Sequence, residues 1–331
     1  MNKTKNRFLE ASSAFRCREA GPVMFIKQGG TLGNVPTSGI LVGMIRKQTI
    51  LRPVSFAGVG IHTGQKVGLT LKPSSKGKIF FRRMDLGGRE VEIDPRKMES
   101  LNCTCLLFDS GRIQTLEHLL AVLHILGLAS LEIELQGEEI PIMDGSAAPL
   151  IEEILKAGLR PVSQAVESVR ILKPHTLEEK GARLSFSPDP DFRVSYAIDF
   201  SHPLIGRQDI SVALTRALFR EEIAPARTFG FLKDAAELQK RGLALGGSLD
   251  NAIVLDEERV ISGKLRFRDE FIRHKVLDLI GDLAFLGHPL LGHFRAERAG
   301  HRLHHQAVLF LLDHPDFWAF DKDAFPRFLQ G

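Results

Sequence analysis

Between residues 50 and 93 apolar and polar positions alternate in short runs, at 67–71, 78–81 and 90–93, separated by Gly, Pro and Ser. A period of two with such punctuation predicts antiparallel strands, each with one buried face. The period then lengthens: Leu116, Leu119, Leu120 and Leu123 form one stripe of a helix, with Thr115 at its N-cap. A strand at 131–135 follows, and the Asp144-Gly145 turn and Ser146 open a second helix reaching about Ala157. The second half repeats this order. Strands near 169–172, 182–186 and 193–198 precede a long helix over 270–286, a strand, and a final helix over 304–312.

This repetition predicts an α+β fold of two similarly built domains, each a helical layer packed on a mixed β-sheet, spanning residues 44–165 and 166–315. The stretch 229–254 has no counterpart in the first half and reads as an insertion. Residues 316–331 match no pattern and are set apart as a C-terminal tail. Residues 1–43 lack periodicity and the apolar core of a secretory signal, so they are expected to be a disordered or non-native leader, dispensable for folding and activity. An organellar transit peptide is the alternative, disfavoured by Glu10 and Glu19 because such peptides are poor in acidic residues.

Composition narrows the class. The net charge of +4 is spread along the chain, which argues against a nucleic-acid binder. No apolar stretch approaches the length of a membrane span, so no stable membrane insertion is expected. Cys17, Cys103 and Cys105 cannot build a disulfide framework, and the pair at 103 and 105 lacks the second thiol pair of a structural zinc site, so a reducing cytoplasm is expected.

In the long helix His274 and Asp278 stand four residues apart on one face, with Asp282 a turn further on. Such spacing can chelate a divalent cation, although a His–Asp pair at i, i+4 is more often a surface hydrogen bond. Apolar Val276, Leu277, Leu279 and Ile280 interleave these polar residues and indicate a buried helix whose acids face something inside. Glu117 and His118 open the first-half helix, where the dipole favours an acid anyway. The sharper reading makes His118 a third ligand and Glu117 a general base beside an open coordination position. His301, after a glycine, offers an imidazole for acid catalysis, but periodicity does not choose it over His293, His304 or His305.

Six strings together resemble the UDP-3-O-acyl-N-acetylglucosamine deacetylase family: GVGIHTG at 58–64, TLEHL at 115–119, IPIMDGSAAP at 140–149, ARTFGF at 226–231, LGGS at 245–248 and RHKVLDLIGD at 273–282. The resemblance runs from about Met44 to His301. It implies an active site between two domains, with His118, His274 and Asp278 holding zinc, or alternatively ferrous iron. It also implies Glu117 as base, Thr228 as donor to the oxyanion, and His301 paired with Asp282 as the cationic partner.

For the substrate, an acylated UDP-amino sugar, the resemblance implies Asp199, Phe200 and Phe229 on the nucleoside and sugar side and His62, Lys275 and Arg298 on the diphosphate side. It further implies an acyl passage lined by Leu232, Ala244, Ser248, Ala252 and Val254. A monomer acting in the cytoplasm is expected. A catalytically silent nucleotide-sugar binding homologue is the alternative function. His304 and His305 stand where polar residues other than histidine are usual; they are expected to lie outside the catalytic set, with a secondary metal contact as the alternative.

Overall fold

The computed structural model describes residues 45–109 and 111–329, so the expectations for residues 1–43 lie outside the described residues. The first half builds a five-stranded sheet in the order Val54–Val59, Lys66–Pro73, Leu131–Gln136, Ile79–Arg83, Arg89–Glu92. Its alternation is the one read from the sequence: Val67, Leu69 and Leu71 are buried, whereas the residues between them are partly exposed. Two helices, α1 (Glu117–Ile125) and α2 (Ala148–Ala157), accompany this sheet. The strand Arg46–Ile50 pairs antiparallel with Leu159–Ala165 and so joins the two ends of the half.

The second half forms a seven-stranded mixed sheet around Leu290–Glu297, which runs parallel to Phe192–Phe200 and antiparallel to Ala182–Ser187. Two helices serve it, α4 (Glu270–Leu283) and α5 (His301–Asp313), which pack on each other. Between the sheets α1 packs on α4. The fold is α+β. The insertion contributes a parallel strand pair, Phe229–Phe231 with Ile253–Leu255, and the exposed helix α3 (Leu232–Lys240) between them.

Three local expectations change. Thr115 is not the N-cap of α1; Leu116 takes that place and Thr115 carries a φ of 59°. Helix α5 begins at His301 rather than 304, so His301 sits in its first turn. Within the described residues the segment 316–329 is not set apart as a tail: Trp318–Asp321 joins the large sheet antiparallel to Ser168–Ile171, and the Trp318 indole donates to the Leu311 carbonyl at 2.7 Å. Trp318 lies in a short strand, Phe325 in a loop and Phe328 in a single 3-10 turn, each too short to show a period. Among the described residues no helix is long and apolar enough to cross a membrane.

Phe328 is fully buried and packs against Phe192 and His124. Phe328→Ala is therefore expected to destabilise the protein by about 3–5 kcal/mol, the cost of an emptied aromatic site. A denaturant midpoint equal to that of the unchanged chain would show that the C-terminal segment contributes no core.

Candidate active site

Helix α4 is buried on nearly every side, with Phe271, Ile272, Val276, Leu277, Leu279, Ile280 and Leu283 all inaccessible. Its polar residues therefore face protein. At Gly281 another backbone lies directly against it: a Cβ there would stand 2.0 Å from the Glu117 carbonyl oxygen. This glycine lets α1 cross α4 at backbone contact and brings Glu117 and His118 over His274 and Asp278.

At the crossing, Nε2 of His274 lies 3.4 Å and Nε2 of His118 3.8 Å from Oδ1 of Asp278. The two imidazoles stand edge to face, with centroids 5.0 Å apart. The donor atoms of His118, His274 and Asp278 all fall within 4.8 Å of one another. The His274 ring is oriented by Nδ1, which donates to the Ala226 carbonyl at 3.0 Å and leaves Nε2 as the free acceptor. Burial holds His118 neutral, its pKa lowered to about 3, and lowers His274 as well. Burial alone would raise Asp278, but Lys275 and the surrounding imidazoles keep its carboxyl well below the usual range. Two neutral imidazoles and one ionised carboxylate are the protonation states a divalent cation requires of its ligands.

Beside this cluster is a second one, built for protons. Glu117 is buried and accepts the Thr104 amide at Oε2, 3.0 Å away. Burial raises its pKa to about 7, even though His301 pulls it down. His301 places Nε2 3.9 Å from both Glu117 and Asp278 and donates through Nδ1 to Asp282 at 2.7 Å. Burial opposes a charge on His301, but the Asp282 carboxylate outweighs it and lifts the pKa to about 10. Asp282 also accepts His304 Nδ1 at 2.7 Å and the Thr104 hydroxyl in a short contact, and His305 Nε2 lies 3.7 Å from it. Tyr196 continues the chain, its hydroxyl 3.2 Å from His304 Nε2.

A fourth buried carboxylate holds the adjoining loop. Glu139 accepts the amides of His62 and Thr63 at 2.9 and 2.8 Å and the hydroxyls of Thr63 and Thr115 at 2.7 and 2.8 Å. It fixes the loop carrying His62 and holds Thr115 in a left-handed conformation that a β-branched residue seldom adopts. The insertion closes on the same loop: Leu245 and Gly246 amides donate to the His62 and Ile61 carbonyls.

Phe200, Phe229 and Phe231 form an aromatic group reaching the metal-type cluster, with Phe229 centred 6.4 Å from the His274 ring. Thr228 precedes it, its amide bonded to Gly145 and its carbonyl to Ile253. Of the residues expected on the diphosphate side, Lys275 donates to Asp278 at 2.7 Å, and His62 lies on the Glu139 loop. Arg298 is exposed with a φ of 50°, and Asp199 is exposed in register with Arg207. In the insertion Ala244 approaches His62, its amide 3.4 Å from Nδ1, and the Ser248 amide donates to Asn251 Oδ1 at 2.8 Å. Val254 pairs with Gly230, Ala252 lies partly buried beside it, and Leu232 is half exposed at the start of α3.

A family model described as LpxC, UDP-3-O-acyl N-acetylglycosamine deacetylase, matches residues 47–313. The chain belongs to this deacetylase family. It is 44% identical over 260 residues to the UDP-3-O-acyl-N-acetylglucosamine deacetylase of Thermodesulfovibrio yellowstonii, covering 78% of this chain and 89% of that one. It is 42% identical over 283 residues to the enzyme of that name from Acidithiobacillus ferrooxidans, covering 84% and 93%. The corresponding figures for that of Idiomarina loihiensis are 43% over 285 residues, 84% and 93%.

Against this deacetylase frame one expectation needs correction. His304 and His305 are not bystanders: both are buried, His304 shares a carboxylate oxygen with His301, and His305 reaches the Thr104 hydroxyl at 2.9 Å. Both are bonded into the carboxylate network that holds His301. Sequence reasoning also passed over Thr104, Glu139, Tyr196 and Gly281. Only Gly281 carried a signal, a glycine inside a strongly apolar helical run, which points to a close packing contact.

Gly281→Ala is expected to push α1 from α4, destabilising the chain by roughly 1–3 kcal/mol as overpacking does. Because the displaced backbone is that of Glu117, divalent-cation affinity should fall too. Unfolding and cation titration of the variant check this, and unchanged values of both would mean that the crossing has slack.

Proposed function

We propose that this deacetylase works through one divalent cation, zinc or ferrous iron, held by His118, His274 and Asp278. The observation that carries the reading is the convergence of those three donors from two halves of the chain, in ligand-ready protonation states, beside a base and a cationic histidine. Bound there, such a cation supplies a Lewis acid for amide hydrolysis.

The chain's own residues then divide the proton work. Glu117, poised near neutrality, removes the proton of the attacking water. His301, kept cationic by Asp282, gives a proton to the departing glucosamine nitrogen, so water and amide become acetate and a free amine. Thr228 donates to the carbonyl oxygen as it gains charge. Phe200 and Phe229 present aromatic surface to the nucleotide sugar, with Asp199 at the rim of the nucleoside side, and His62, Lys275 and Arg298 meet its anionic part. The insertion, with Leu232, Ala244, Ser248, Ala252 and Val254, takes the acyl chain. A two-domain division near residue 165, a monomeric state and a cytoplasmic location complete the proposal. The decisive experiment is acetate release from UDP-3-O-acyl-N-acetylglucosamine with and without a chelator; full turnover of metal-free protein would refute it.

His274→Ala and Asp278→Ala should each strip the cation, whereas Glu117→Ala should retain it and lose about a hundred- to ten-thousandfold in rate. Metal content measured beside kcat separates the two classes, and a metal-free Glu117→Ala protein would reverse the assignment. In pH the rate should rise as Glu117 loses its proton near about 7 and fall as His301 loses its proton near about 10. Asp282→Asn removes the charge that favours cationic His301, so the basic limb should move to lower pH while the acidic limb stays nearly fixed. A basic limb unmoved in Asp282→Asn would mean that another group titrates there.

A further inference from the structure

Thr104 is completely buried and commits all its polar groups to the catalytic elements. Its amide donates to Glu117 Oε2 at 3.0 Å, and its carbonyl accepts the Leu116 amide at the start of α1 at 3.1 Å. Its hydroxyl touches three groups: Asp282 Oδ1, in a short contact, His305 Nε2 at 2.9 Å and His301 Nδ1 at 3.2 Å. An ionised carboxylate only accepts, so the single hydroxyl proton goes to Asp282. His305 must then donate its Nε2 proton to the hydroxyl oxygen, while His301 directs its own Nδ1 proton to Asp282 Oδ2 at 2.7 Å.

We infer that Thr104 is a positioning residue of the deacetylase site, setting the plane of the Asp282 carboxylate, and through it the His301 ring, while its amide aims Glu117. The need arises from competition. Oδ2 of Asp282 receives two imidazoles, His301 and His304, both at 2.7 Å. Rotation about the terminal carboxylate torsion is soft, so nothing in Asp282 itself decides how its oxygens divide between the two rings. The hydroxyl of Thr104, anchored on a strand and braced by His305, pins Oδ1 and leaves Oδ2 facing His301. One residue thereby ties the base and the cationic histidine to a common rigid point.

The inference rests on Glu117 and His301 having the roles proposed above. Its test compares Thr104→Val, Thr104→Ser, Asp282→Asn and the Thr104→Val/Asp282→Asn double variant in the metal-loaded full chain. Valine keeps the shape and the amide but removes the hydroxyl, so kcat should fall by about 10- to 100-fold, as for other residues that orient a working side chain. KM and bound metal should stay unchanged. Serine restores the donor and should restore most of the rate. In the Asp282→Asn background the valine change should cost nothing more, because it acts through that carboxylate. Thr104→Ala, which makes no demand on packing, repeats the measurement should the valine variant be unstable. A valine or alanine variant with unaltered kcat, a serine variant as slow as valine, or costs that simply multiply in the double variant would each overturn the inference. His301→Ala separates the two levels: an undiminished rate there refutes the proposed roles, whereas a loss there beside a fully active Thr104→Val refutes only the positioning role.

Discussion

The crossing of α1 over α4 at Gly281 is the constraint on which the site depends. A helix normally keeps its neighbour at a distance set by interposed side chains. Here the absence of a Cβ lets the Glu117 carbonyl rest on the α4 backbone. Only at that separation do donors from two distant parts of the chain fall within one cation's reach. The apolar stripes of both helices supply the driving force, since Leu119, Val122, Leu277 and Ile280 are all inaccessible to water.

Bringing the helices together buries four carboxylates in one region, and burial without partners would be prohibitive. The partners differ, and so do the outcomes. Glu139 is satisfied by two amides and two hydroxyls and serves structure. Asp282 is satisfied by a hydroxyl and two imidazoles and stays ionised despite its burial. Asp278 has Lys275 and the imidazoles of His118 and His274. Glu117 is left with a single amide and a histidine at 3.9 Å, and its pKa rises toward neutrality. A carboxylate that can exchange its proton near physiological pH thus arises where burial outweighs the few groups that favour its charged form.

The same accounting explains why four histidines near the site behave differently. His118 and His274 are driven neutral by burial, whereas His301 lies among three carboxylates and is driven cationic. His304 is buried as completely as any of them, and its pKa is lowered although it bonds the same carboxylate as His301. Asp282 is thereby shared between a charged and a neutral ring, an arrangement that depends on how its oxygens are held.

Most strands and helices were legible because their apolar periods are local properties of the chain; 66–73, 131–136 and 270–283 lie within a few residues of where alternation and stripe put them. The His274–Asp278 pair was legible for the same reason, since i, i+4 spacing fixes a shared face. Residue order alone offered no means of joining that pair to His118, 156 positions away by subtraction of their numbers; the resemblance to a family did so, and the helix crossing brings them together. Thr115, read as a cap, was drawn into a left-handed turn by Glu139, a partner 24 residues away. The segment after residue 315 was unreadable because its buried aromatics follow no period, yet sheet pairing and the Phe192 contact place them in the core. By itself the sequence determined the local conformations, the buried character of α4 and which residue types were present to do chemistry. Only the tertiary structure decided which of twelve histidines face which carboxylates, because a charge or hydrogen bond acts across a few ångströms of space, whatever the distance along the chain.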